Sequence, residues 1–267
     1  MSPAFAGFFC GKNMMESERV SIEYTHTLDL LEIPDASVDP VKGTTGLVMF
    51  FFPHQDDDTA FGDKLRRKFQ EKGYDVVFVY LTEGEKGKLN GETEPEEIVR
   101  EVRQGEANHA MRYYKTSQFT LDLGDGVLYR RKENVIDKVS TLLEAANPDY
   151  VVTIHRNEIT PEWDNTDHPG GDIVISAEQV NTKNLPPGHP AIKRRPHLIE
   201  ITSDPLKASH YLSVTPQEMD ERVENARINY PTQLGFMPPD ELRQKYENIL
   251  QPPNRRGPAR EYYFVTR

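Results

Sequence analysis

Residues 46–82 read GLVMFFFPHQDDDTAFGDKLRRKFQEKGYDVVFVYLT, and this stretch decides the fold. GLVMFFF is a continuous apolar run of strand length bounded by Gly46 and Pro53, the pattern of a strand buried on both faces. In residues 59–72, Phe61, Leu65 and Phe69 recur at four-residue spacing, one face of a helix, and Gly73 stands where that helix should stop. DVVFVYLT, from Asp75, is a second buried strand. Strand, helix and strand in so short a span make a β-α-β unit, with parallel strands and a right-handed crossover.

The alternation continues along the chain. Thr93 and Glu96 have the spacing of a capping box that opens a helix through Tyr114, with Val99, Val102 and Met111 on its apolar face. SQFTLDL, from Ser117, reads as a third strand. Lys132–Ala146 reads as a helix carrying Val135, Val139, Leu142 and Leu143 on one side, stopped by Asn147 and Pro148. YVVTIH, from Tyr150, and HLIEITS, from His197, are the fourth and fifth strands, separated by a polar irregular stretch at 156–169 and a helix from Asp172. The expected fold class is α/β, an open, mostly parallel sheet with helices on both faces. Residues 46–267 are read as one domain, and residues 1–45 as a flexible or loosely docked N-terminal extension.

In such sheets ligands sit beyond the carboxyl ends of the strands. The loops that matter are therefore PHQDDD, TEGEKGK, GDG and HRNEITPEWDNTDHPGG. Two of them place histidine beside aspartate: His54, Asp56 and Asp57 after the first strand, Asp167 and His168 after the fourth. Two histidines, a carboxylate and an open position for water form a recurring hydrolytic zinc site. His54 and Asp57, three apart on a turn entering a helix, can reach one metal, while Asp56 between them can point at the water as general base. The alternative is that Asp56, Asp57 and Asp58 cap the following helix and favour its dipole. Capping accounts for one aspartate, not for three and a histidine.

Composition narrows the class. With 32 basic and 43 acidic residues the net charge is -11, which disfavours nucleic acid as a partner. The single cysteine, Cys10, excludes a disulfide framework and a Cys-rich zinc site, so a metal would be held by histidine and carboxylate. Apolar runs fall far short of the roughly 18 residues of a membrane span, so no transmembrane segment is expected. The start lacks the basic leader of a secretory signal, and cytoplasm is the expected location. No Gly-x-Gly-x-x-Gly follows a strand, and neither a P-loop nor a Gly-x-Ser-x-Gly elbow occurs. Dinucleotide, ATP and serine hydrolase sites are thereby disfavoured.

FFFPHQDDDTAFG, DVVFVYLTEGEKG, VRQGEA, LGDG, NTDH and ARINYPTQ occur in the order seen in the LmbE-like (PIG-L) family of zinc-dependent N-acetylglucosamine de-N-acetylases, which the chain resembles over residues 46–233. The resemblance implies a Rossmann-like fold, Zn²⁺ or another divalent metal as cofactor, and hydrolysis of an N-acetyl group from a small-molecule amino sugar or its conjugate. It implies His54, Asp57 and His168 as metal ligands, Asp56 as general base, and Arg103 and Asp125 as substrate contacts. Tyr230 and Gln233 resemble a family segment near the pocket, with helix-end packing as the alternative.

One departure matters. Asn165 stands where the family usually has a histidine that protonates the leaving amine or stabilises the oxyanion. Asparagine can donate a hydrogen bond but cannot deliver a proton at neutral pH. His155, at the end of the fourth strand, is the candidate substitute, and Trp163 in the same loop offers an aromatic face to a sugar ring. Two alternatives stay open: a metallo-amidase acting on another small acylated amine, and a non-catalytic metal-binding homologue. A homo-oligomer is compatible with the sequence.

Overall fold

The computed structural model describes residues 29–36, 46–156, 169–182, 196–204, 206–250 and 259–266. Its centre is an eight-stranded sheet, β1 (Asp29–Leu30), β2 (Leu47–Phe52), β3 (Asp75–Tyr80), β4 (Ser117–Thr120), β5 (Tyr150–Ile154), β6 (His197–Thr202), β7 (His210–Ser213) and β8 (Arg260–Thr266), in the spatial order β1-β7-β8-β6-β5-β2-β3-β4. The five strands from β6 to β4 are mutually parallel. β8 runs antiparallel between β6 and β7, and β1 pairs parallel with β7.

β2 shows why these residues make a central strand. Val48, Phe50 and Phe52 enter a core formed with α1 (Asp63–Glu71), α2 (Glu96–Tyr114), α5 (Pro216–Asn229) and α6 (Pro239–Leu250). Met49 and Phe51 enter the opposite core, under α3 (Lys132–Ala146) and α4 (Gly170–Thr182). A strand buried on both faces needs apolar residues at every position, which is what LVMFFF supplies.

Several local expectations change. The Thr93 to Glu96 capping box does not form; Pro95 is the N-cap of α2, with no side-chain cap bond. With Thr93 as N-cap, Glu94 would take the first helical position, in the helical region that a following proline disfavours. A capping box occurs instead at Thr215 and Glu218, opening α5. The helix expected over 59–72 begins as a π-helical turn, Asp58–Gly62, before α1. Gly62 lies at the junction, where a Cβ would come within 3.2 Å of the Phe52 ring. Within the stretch expected as an extension, Leu31 and Ile33 are core residues, and Leu31 N donates to Tyr211 O at 2.9 Å. Among the described residues no helix is long and apolar enough to cross a membrane.

The topology places the site. From β2 the chain moves outward through β3 and β4, then returns to lay β5 on the other side of β2. The strand order reverses between β2 and β5, a switch point of the kind at which such sheets bind ligands beyond the carboxyl ends of their strands.

Candidate metal centre and its surroundings

PHQDDD leaves β2 at this switch point. His54 N donates to Asp57 Oδ2 at 2.9 Å, and the same oxygen lies 3.5 Å from His54 Nδ1. Two ligands of a tetrahedral zinc, each about 2.0–2.1 Å from the ion, are about 3.4 Å apart. The Nδ1 to Oδ2 separation therefore fits two ligands of one cation, and the imidazole and carboxylate donors suit a divalent metal. Among the described residues no group of three His, Cys, Asp or Glu side chains is placed to hold a metal. The expected third ligand, His168, lies outside the described residues, as do Asn165 and Trp163.

The three aspartates have three different environments. Asp57 turns back to His54. Asp56 Oδ1 accepts a short bond from Arg103 Nη2. Asp58 is buried beneath the site, where its Oδ2 accepts Tyr230 Oη at 2.8 Å and Tyr80 Oη at 3.2 Å. Burial pushes its carboxyl well above the usual range, against the opposing effect of the two tyrosine bonds. Asp57, the N-cap of the π-helical turn, makes no side-chain cap bond, so its carboxylate does not cap the helix.

Arg103 reaches Asp56 from α2. Its Nη1 donates to Gln233 Oε1 at 3.1 Å, and Gln233 Nε2 donates to Lys88 O at 2.8 Å. The TEGEKGK loop makes room for the guanidinium. A Cβ at Gly84, where φ is +65°, would lie 2.5 Å from Arg103 Nε, and one at Gly87 would lie 2.6 Å from Nη1. The Arg103 side chain is left 6% exposed, whereas that of Asp56 is 26% exposed and open to a reactant.

Asp125, from LGDG, comes to the other side of His54, with Oδ1 3.0 Å from Nε2. Glu85, which the sequence reading passed over, receives the Asp125 N–H at 2.8 Å; its place in a strand-end loop was the available signal. Glu106 receives Thr232 N at 2.7 Å, and burial raises its pKa against that bond. Gln233 and Tyr230 thus each touch a residue of the site. His155 lies at the end of β5 with its Nε2 3.9 Å from Glu200 Oε2 and its ring edge-on to Phe264 at 6.0 Å. Those contacts are on the β6 and β8 side of β5, while His54 follows β2 on the other side.

Residues 49–175 match the family described as GlcNAc-PI de-N-acetylase, PIG-L. No curated protein matches the sequence. Among solved structures, N,N'-diacetylchitobiose deacetylase from Pyrococcus horikoshii is similar with a TM-score of 0.66 and 16% identity, covering 86% of this chain and 87% of that one. GalB, the 4-carboxy-2-hydroxymuconate hydratase from Pseudomonas putida, gives a TM-score of 0.58 and 17% identity, covering 82% of this chain and 95% of its own. The zinc inhibited form of teicoplanin deacetylase Orf2 gives 0.55 and 13%, covering 82% and 97%. At these identities the likeness establishes a shared fold.

Proposed function

The chain carries a PIG-L, or LmbE-like, family domain, and from that premise we propose that it removes the N-acetyl group from an amino sugar of the N-acetylglucosamine type, or from a conjugate of one, releasing acetate. The observation that carries this reading is the arrangement at the switch point: Asp56, tied to a buried arginine, next to the paired donors of His54 and Asp57.

His54, Asp57 and His168 would hold a divalent metal, taken as zinc from the ligand types. When bound, such a metal polarises an amide carbonyl and lowers the pKa of water. Asp56 accepts the proton of the attacking water, and its bond to Arg103 holds the carboxylate in place without reorganisation during the reaction. The hydroxyl adds to the acetyl carbon, the C–N bond breaks, and the proton taken by Asp56 passes to the amine nitrogen. Asn165 would donate a hydrogen bond to the oxyanion, and Trp163 would stack on the sugar ring.

The test is acetate release from N-acetylglucosamine and a set of its conjugates, by protein of known metal content with and without chelator. Chelator-sensitive release is expected, and Asp56→Asn should retain metal while losing about 10²–10⁴-fold in turnover. Release that survives complete metal removal would overturn the metal reading. Metal-loaded protein that releases acetate from none of these sugars would overturn the substrate. The Pseudomonas putida neighbour is a hydratase, so other acylated amines and hydration substrates belong in the same panel.

A further inference from the structure

Both ring nitrogens of His54 face a carboxylate. Nδ1 is 3.5 Å from Asp57 Oδ2 and Nε2 is 3.0 Å from Asp125 Oδ1. An ionised carboxylate only accepts hydrogen bonds, so the nitrogen at 3.0 Å must carry the proton. In the neutral imidazole that metal ligation requires, this leaves the Nδ1 lone pair on the Asp57 side.

Asp125 is itself held firmly. Its Oδ2 accepts Lys86 N at 3.0 Å, and its own N–H is taken by Glu85 Oε1 at 2.8 Å. Asp125 and Glu85 are both buried. Gly124 and Gly126, on either side of Asp125, have φ of +85° and +68°, left-handed conformations that let so short a loop aim the carboxylate at the ring. The loops after β3 and β4 therefore clamp one carboxylate against His54, and both of its oxygens are bonded within the protein.

We infer that Asp125 is a positioning residue for the metal centre: it accepts the Nε2 proton of His54, fixes that tautomer and ring orientation, and presents Nδ1 to the cation. The inference rests on the reading of His54 and Asp57 as metal ligands. Partners of this kind set the tautomer of a ligating histidine, and their loss typically costs about 10–100-fold in metal affinity.

Metal affinity is measured by competition between apo protein and a chromophoric chelator for Zn²⁺, with KM of the metal-saturated enzyme recorded in parallel. Asp125→Ala removes the acceptor. Asp125→Asn must turn an NH₂ group toward either Lys86 N–H or His54 Nε2–H, both donors. Each variant should bind zinc about 10–100-fold more weakly, with KM within about twofold of wild type. Unchanged zinc affinity with a raised KM would overturn the inference and make Asp125 a substrate contact. Wild-type protein that binds no zinc would sink the metal reading and this inference together, whereas wild type and variants that bind equally well would sink this inference alone. Should neither variant fold, ¹⁵N spectra of wild-type apo protein at neutral pH decide: His54 protonated on Nε2 is expected, and protonation on Nδ1 alone would overturn it.

Discussion

Replacing Gly87 by alanine tests whether the placement of Arg103 controls the chemistry. A Cβ at Gly87 would stand 2.6 Å from Arg103 Nη1 and 3.1 Å from Gly84 O. Ordinary contact begins near 3.4 Å, so the guanidinium must retreat by about 0.8 Å. Nη1 is bonded to Gln233 at 3.1 Å and Nη2 to Asp56, and a retreat of that size breaks the first bond or tilts the second. Misplacing a reacting group by about 1 Å can cost about 10²-fold, so kcat should fall about 10–100-fold. Gly87 lacks a positive φ, so backbone strain adds little and the melting temperature should stay close to wild type.

Gly84→Ala is the companion variant. It crowds the same guanidinium at 2.5 Å but also forces alanine to φ +65°, costing about 1–2 kcal/mol. That corresponds to a melting temperature lower by about 2–8 °C in a chain of this size. Acetate release by metal-saturated protein and thermal melts measure both variants. Gly87→Ala with kcat within about twofold of wild type would refute the claim that the Arg103 contact aligns Asp56.

Tyr230→Phe leaves buried Asp58 without its 2.8 Å donor and should cost about 1–3 kcal/mol in urea unfolding, more than Tyr80→Phe, whose bond is 3.2 Å; the reverse order would contradict the account of that cluster. Burial alone would raise the Asp63 carboxyl, but Arg66, Arg222 and Arg67 outweigh it and hold the group below its usual pKa. Its stabilising contribution is therefore complete above the unfolded value of about 3.9 and lost as pH falls through the lower folded value. Wild type should lose more stability than Asp63→Asn between about pH 5 and pH 2; parallel acid limbs in urea melts would rule this out. Gly170→Ala would put a Cβ 2.1 Å from Ile154 O. Since that neighbour is backbone, α4 must move off β5, and a loss of about 2 kcal/mol or more is expected by chemical denaturation.

Much of this protein is legible in its sequence because much of its structure is local. The five parallel strands and α1 to α4 follow from apolar runs, four-residue spacing and helix stops, signals that lie within the elements they describe. Legible too were the His54, Asp56 and Asp57 cluster and its place beyond a strand end, because in a parallel sheet the loop after a strand lies on the ligand side. β7, β8, α5 and α6 were passed over, since their short or mixed patterns become regular only against neighbours already in place. Tertiary structure alone decided which aspartate does what. Asp58 finds Tyr230 at 172 residues' separation, His54 finds Asp125 at 71, and Asp56 finds Arg103 at 47. Three adjacent carboxylates look alike in one dimension; the partners that bury one, orient another and leave the third beside an imidazole arrive from elements that only the folded sheet brings together.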